Sequence, residues 1–428
     1  MTRIALSEPA CEFQASTKKG TNMPQTAAAT RTPDVPTFDF DPFSREFYDD
    51  PYPAHEAMRE AGPVVWIPRY GIWAMARHDD VHAAFNDWQT YCSGRGVGLS
   101  DFAKEEPWRP RSIVLEVDPP YHTKTRTVLA RILSPGVIRR LREPFEADAE
   151  KLVERLVARG RFDAVKDLAE AYPLKVFPDA LGIPAEGREY LLPYGNMVFT
   201  GFGPRNDLFE EAMRDADRIR DGIMRLCARE SLRPDGLGAE IFAAADRGEL
   251  TQEEAPMLIR SFLSAGVDTT VNSLGSAIEC LARNPDQWQL LRDDPSLARN
   301  AFEETLRLES PSQVFFRTTT RPVEVGDTTI GEGEKVLLFM ASANRDPRRW
   351  ENPDKFDIKR RVAGHVALGS GIHGCVGQSV ARLEGELVLT ALAKRVDSIE
   401  IVGEPKRRYN NTLRGLASLP VEVRRKAN

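Results

Sequence analysis

From about residue 136 to 310 apolar residues recur at three- and four-residue spacing, in stretches such as EADAEKLVERLVARG and EEAMRDADRIRDGIMRLCARE. This is the pattern of helices that each bury one face. Strand-like runs occur only outside that block. VVWIPRYGIWAMAR sets two β-rich runs on either side of Pro68 to Gly71, as in a hairpin with a four-residue loop. Past Pro311 the pieces VFFRTTT, PVEVGDTTI and EKVLLFM are short and β-rich; the irregular NRDPRRWENPDKFDIKRR and one last long helix follow. Strands placed early and late around one helical block predict a mainly α fold with minor β-sheets, in a single domain over residues 37–428. Residues 1–36 are polar, Ala/Thr/Pro-rich and without periodicity, and read as a disordered leader.

A chain of 428 residues that is 41% hydrophobic can bury a large core. Its net charge of −6 argues against nucleic acid or an anionic membrane as a general partner. The five cysteines (Cys11, Cys92, Cys227, Cys280, Cys375) are scattered and lack CxxC or Cys/His pair spacing, so neither a disulfide framework nor a zinc site is indicated. No apolar run reaches the roughly 18 residues of a membrane span and the N-terminus has no signal-peptide core, so a cytoplasmic protein without a membrane anchor is expected.

Cys375 lies in VALGSGIHGCVGQSVA, residues 366–381. Gly369, Gly371, Gly374 and Gly377 clear side chains from around the sulfur, which suits a backbone passing close to a flat, bulky group. A helix begins directly after it. Orphan amides and the positive end of the helix dipole favour a thiolate, so Cys375 is expected to be ionised and able to ligate iron.

GSGIHGCVGQSVARLEGE resembles the haem-ligand loop and following helix of the cytochromes P450. One position departs: Leu368 stands where the family usually has phenylalanine. SFLSAGVDTTVNSLGSAIECLAR resembles the family's long central helix with its acid–alcohol pair, and EETLR, with Glu304 and Arg307, its ExxR motif. Alone, such a pair would be an ordinary surface contact of little energy; about seventy residues before the cysteine loop it is specific. The third partner of that ion network is left unassigned, Lys355 standing at one candidate position. The resemblance implies the P450 fold, with haem b (iron protoporphyrin IX) between the central helix and the cysteine loop, and Cys375 as its metal ligand. It further implies His122 and Arg126, at i, i+4 on one helical face, with Arg317 and His373, as partners of the haem propionates. If Arg317 points at the haem, strand alternation makes Phe315 share its face and turns Phe316 away.

Thr251 and Glu254 form a capping box at the start of the central helix. Ser261, Ser264, Ala265 and Asp268, at i, i+3, i+4 and i+7, are expected to form one stripe whose polar members need partners. A back-bond from Ser264 to the preceding turn is the plain alternative. By resemblance, Asp268 and Thr269 are catalytic, passing protons inward to iron-bound oxygen.

Within the family the chain is most similar to bacterial enzymes that oxidise para-substituted benzoates, notably by O-demethylating 4-methoxybenzoate. Arg109, Ser112, Phe199, Phe202, Ser261, Ser264 and Phe315 carry that likeness: aromatic faces for a ring, hydroxyls and one cation for a carboxylate. Phe199 and Phe202 could equally be core, and Arg109 a solvated charge. The resemblance also implies dioxygen and a separate iron–sulfur ferredoxin with its NAD(P)H-dependent reductase. Lys124, Arg131, Arg139, Arg140, Arg142, Lys359, Arg360 and Arg361 are candidates for a docking face. Two other readings stay open: the same chemistry on a terpenoid, fatty acid or other natural product, and a haem-binding or sensor protein without turnover.

Overall fold

Pro135 in its first turn and Gly160 at its C-cap, with φ 76°, bound the longest helix, Pro135–Arg159. It buries Phe145, Ala149, Leu152, Val153 and Leu156 at three- and four-residue spacing and packs along the helix Gln378–Arg395. The computed structural model describes residues 34–427. The leader expected over residues 1–36 therefore lies, as far as residue 33, outside the described residues. By Pro36 the chain is tied in, its carbonyl accepting from the Trp66 amide at 2.9 Å.

Val65–Ile67 and Ile72–Met75 form the anticipated antiparallel hairpin, with Val65 opposite Ala74. They join a five-stranded sheet in the order Val65–Ile67, Ile72–Met75, Lys335–Phe339, Val314–Thr319, Tyr91–Cys92. The hairpin pairs in parallel with Lys335–Phe339, which runs antiparallel to Val314–Thr319. Alternation along Val314–Thr319 turns Phe315 and Arg317 toward the central cavity. Phe316 turns away and stacks on Phe43, ring centres 6.3 Å apart.

Strands after the last helix were not anticipated. Val396–Ile401 and Pro420–Arg425 pair antiparallel, with Arg161–Asp163 on the other side of the latter. A hairpin of Lys406–Arg408 with Gly415–Ser418 reaches the central helix. The stretch EEAMRDADRIRDGIMRLCARE also divides, into helices Asp207–Ala212 and Ala216–Leu226. Among the described residues no helix is long and apolar enough to cross a membrane.

The central helix is not continuous. It runs as Glu254–Ala265 and Asp268–Arg283, broken at Gly266 and Val267. Its start carries the expected capping box: the Thr251 amide donates to Glu254 at 2.7 Å and the Glu254 amide to the Thr251 hydroxyl at 3.2 Å. At the break Gly266 lies flush against Phe177, where a Cβ would come within 2.3 Å of the ring. Only glycine permits that approach.

Candidate active site

The cysteine loop folds through left-handed turns at Gly369 and Gly371, φ 68° and 65°. Gly371 passes so close to the Phe85 carbonyl that a Cβ would sit 2.5 Å from it. The Cys375 amide closes the loop by donating to Leu368 O at 2.8 Å. Sulfur faces the large central cavity, with the Gly377 and Gln378 amides directed at it. Burial nevertheless pushes the Cys375 thiol above its ordinary value, against those amides, Arg126 and Arg382. The helix-terminus amides that favour a thiolate are in place, with Arg126 and Arg382 acting in the same sense and burial opposing them.

Beside the loop, the rings of His122 and His373 lie 4.4 Å apart. The Nε2 atoms of both are buried and have no hydrogen-bond partner. Burial, then the charges of His373 and Arg126, lower the His122 imidazole to about 4; burial also lowers His373. Arg317 is 3% exposed, its one hydrogen bond going to Phe316 O at 2.8 Å, and burial pulls it down to about 10. Arg126 donates to the Gly374 carbonyl. Arg126, Arg317 and His373 line one rim of the cavity, with His122 packed against His373; such cationic or orphaned groups fit a buried group carrying two carboxylates. Asp118, not foreseen as part of this site, stands 3.8 Å from His373 Nε2 and accepts from the Ser93 and Gly94 amides at 3.0 and 2.8 Å. Thiol, glycine clearance and rim donors together fit haem b.

Behind the loop, Glu304 and Arg307 are entirely buried and paired twice, at 2.7 and 2.9 Å. They are not a surface pair. The third partner is Arg360, whose Nε donates to Glu304 at 3.1 Å. Lys355 contributes only its backbone carbonyl.

Across the cavity, Ser261, Ser264, Ala265 and Thr269 line the wall, but Asp268 does not. The break at Gly266 and Val267 rotates Asp268 out of the expected stripe, so the i, i+7 relation fails there. Its carboxyl pairs with Arg408 at 3.2 Å, and Arg408 also holds Glu170. Burial, with Glu170 adding and Arg408 opposing, raises Asp268 to about 6. Gly195 leaves the room it occupies, since a Cβ there would stand 3.0 Å from the Asp268 Cβ. The Thr269 hydroxyl donates back across the break to Ala265 O at 2.8 Å. Ser261 and Ser264 likewise donate to Met257 O and Ser261 O, at 3.0 and 3.1 Å. Glu384, on the helix after Cys375, borders the cavity fully buried with both carboxyl oxygens unpartnered, and burial raises it well above the usual carboxylate range.

At the far end Phe199, Phe202 and Phe315 do come together, with Phe202 5.8 and 5.9 Å from the other two rings. Arg109 lines the same end but is not a spare cation. It binds the buried Glu116 through two hydrogen bonds of 3.0 and 3.1 Å. The uncommitted charge there is Arg260, 5% exposed, whose Nη2 donates only to Pro110 O and Arg111 O, each at 3.0 Å. Arg260 has no carboxylate partner among the described residues. Sequence reasoning passed over it, although its place directly before Ser261 was a usable signal. The Ser112 hydroxyl accepts from the Leu115 amide at 3.1 Å, which leaves its proton uncommitted.

A buried thiol facing a broken helix across a cavity rimmed with carboxylate-binding groups defines a haem-thiolate protein. The family model described as Cytochrome P450 matches residues 196–423. The chain is 56% identical over 402 residues to Cytochrome p450 CYP199A2 of Rhodopseudomonas palustris, covering 94% of this chain and 98% of that protein. It is 33% identical over 400 residues to Cytochrome P450 107B1 of Saccharopolyspora erythraea, covering 89% and 96%. Among solved structures, cytochrome P450 CREJ in complex with (4-ethylphenyl) dihydrogen phosphate superposes with a TM-score of 0.82 at 27% identity, covering 90% of this chain and 99% of that one. The chain belongs to the cytochrome P450 family and is a haem b-dependent monooxygenase that uses dioxygen, a substrate and redox partners.

Proposed function

We propose that the enzyme oxidises a small para-substituted aromatic acid, by O-demethylation or hydroxylation of a benzoate such as 4-methoxybenzoate. The observation that carries this reading is Arg260, a buried guanidinium without a carboxylate partner at the end of an aromatic pocket. Such a charge is costly to bury unless an anion joins it. Arg260 and Thr269 stand on opposite sides of the break in the central helix and both line the cavity with Cys375, so a ligand held at Arg260 by its carboxylate sends its other end toward the Cys375 side. Ser112 offers a free hydroxyl proton, and Phe199, Phe202 and Phe315 hold the ring. Ser261 and Ser264 donate to the ligand only by releasing their back-bonds. The ligand of the CREJ complex, also a para-substituted aryl anion, supports the same chemistry.

Cys375 would hold the iron of haem b and His122, Arg126, Arg317 and His373 its propionates, and the haem would supply the centre for oxygen activation. Thr269 offers a hydroxyl to that chemistry from the cavity wall, and Asp268 is the proton donor behind it. With its carboxyl raised to about 6, Asp268 exchanges its proton near neutral pH. To reach Thr269 it must leave Arg408. The aromatic rings keep water from the far side of the substrate.

Residues 37–428 act as one haem-binding domain, preceded by a leader, in the cytoplasm. Electrons come from a separate iron–sulfur ferredoxin and its NAD(P)H-dependent reductase. Of the basic cluster, Lys124, Arg131 and Arg142 are engaged by Glu254, Glu249 and Glu386, and Arg360 by Glu304. Arg139, Arg140, Lys359 and Arg361 make no ion pair among the described residues, and these four are the candidates to meet an acidic partner. The test is turnover of the reconstituted system with 4-methoxybenzoate, camphor and a fatty acid. Oxygen-dependent release of formaldehyde and 4-hydroxybenzoate is expected; product only from camphor or the fatty acid overturns the benzoate reading.

A further inference from the structure

Three ionic side chains meet at the far end of the pocket: Arg109, Arg260 and Glu116. Glu116 is 1% exposed. It takes Arg109 through two hydrogen bonds and also accepts from the Ser112 amide at 2.8 Å. The paired Arg109 lies over the rings of Trp108 and Phe202, 5.6 and 5.4 Å from their centres, so the clasp forms part of the pocket wall. The other titratable groups facing Arg260 are Tyr194 and Cys227. Burial raises the Tyr194 phenol and pushes the Cys227 thiol to about 12, leaving both neutral. Two guanidiniums and one carboxylate give this end a single positive charge.

We propose that Glu116 is a specificity-determining residue: by neutralising Arg109 it matches the pocket to a monoanion, against neutral and dianionic ligands of the same shape. The inference rests on reading this end as the binding site for the substrate's anion. A second negative charge brought to it finds no second cation, because Arg109 is already held, and an uncompensated charge in a buried site is expelled. Removing the Glu116 charge releases Arg109 and doubles the available positive charge. Removing the Arg109 charge leaves Glu116 facing Arg260 and cancels it.

The test titrates the holoenzyme, by calorimetry and by the haem spin shift, with 4-ethylbenzoate, 4-ethylphenyl phosphate and 4-ethylbenzamide. At about pH 8 the phosphate is a dianion, since its second pKa is about 6. In the unmodified protein the benzoate is expected to bind at least about tenfold more tightly than either competitor. In Glu116→Gln the phosphate gains about tenfold or more on the benzoate, and Arg109→Gln with Glu116→Gln restores the original order. Arg109→Gln alone lowers the preference for benzoate over benzamide by about tenfold. A phosphate-to-benzoate ratio in Glu116→Gln within about threefold of the original overturns the role given to Glu116. Should that variant fail to take up haem, an unmoved benzoate-to-benzamide ratio in Arg109→Gln overturns it instead. An unmodified protein that binds benzoate and benzamide equally defeats the anion-site reading itself. A clear preference for benzoate with unmoved ratios in the variants defeats the Glu116 inference alone.

Discussion

The thiol side of the cavity and its far end treat charge in opposite ways. Behind Cys375, Glu304, Arg307 and Arg360 form a closed ion network at zero to 12% side-chain exposure, supplemented by backbone carbonyls of Asn344 and Pro353. Every charge there has a partner within the chain. At the far end Arg109 and Glu116 close on each other and Arg260 is left over. A saturated network fixes geometry and needs no ligand, whereas an unsaturated one leaves a vacancy that a ligand completes. Buried arginines close the network behind Cys375, and on the proposed function a buried arginine receives the ligand at the far end.

Breaking the thiol side should have the largest consequence. Cys375→His or Cys375→Ala is expected to abolish the long-wavelength band of the ferrous–carbonyl form, because only a thiolate donates enough electron density to produce it. Next comes the network itself. Arg307→Ala takes its doubly bonded partner from a fully buried carboxylate, leaving Arg360 alone to compensate it, and should cost about 3–5 kcal/mol, read by chemical denaturation and as loss of haem uptake. Lys355→Ala, whose side chain takes no part, should stay within about 0.5 kcal/mol; the contrast separates a real network from a motif match.

On the central helix, Thr269→Ala should still consume reductant but divert oxygen to hydrogen peroxide, lowering product per reductant about tenfold. An unchanged ratio would remove Thr269 from the proton route. The smallest effect expected is thermodynamic. Asp268 has a folded pKa of about 6, above an unfolded value of about 4. Between those values the folded state binds the extra proton, so stability falls as pH rises through the window and the loss is complete above it. Asp268→Asn, which cannot ionise, should therefore gain about 2 kcal/mol on the parent protein on going from about pH 4 to 7.5. A difference in melting temperature that does not change with pH would contradict this.

What could be read in the sequence follows the same division. Cys375 with its glycines, Glu304 with Arg307, and His122 with Arg126 are local patterns, which is why their resemblance to the family's motifs can be seen in the sequence. Phe315 and Arg317 share a face because a strand has only two. The misplacements arise where a contact outside regular helix or strand spacing decides. The central helix breaks at Gly266, where Phe177 abuts it, and Asp268 just past the break meets Arg408 from a strand 140 residues later. Arg109 and Ser112 lie where a carboxylate would be received, but nothing in WRPRSIVLE states that Glu116 folds back onto Arg109. Arg360 could not be told from its neighbours Lys359 and Arg361 without the packing that turns it inward. At Cys375 the helix terminus is visible in sequence, while the burial that opposes it is not.

The account turns on Arg260 receiving a carboxylate, and one titration tests that directly. Holoenzyme and its Arg260→Gln variant are titrated with 4-methoxybenzoate and with its methyl ester, following the low-to-high spin shift. A charge-assisted hydrogen bond contributes about 1.5–3 kcal/mol, so the acid should bind about ten- to more than a hundredfold more tightly than the ester. In the variant the two affinities should approach each other through loss of acid binding, with the ester little affected. Equal affinities in the unmodified enzyme, or a preference for the acid that survives Arg260→Gln intact, would contradict the account.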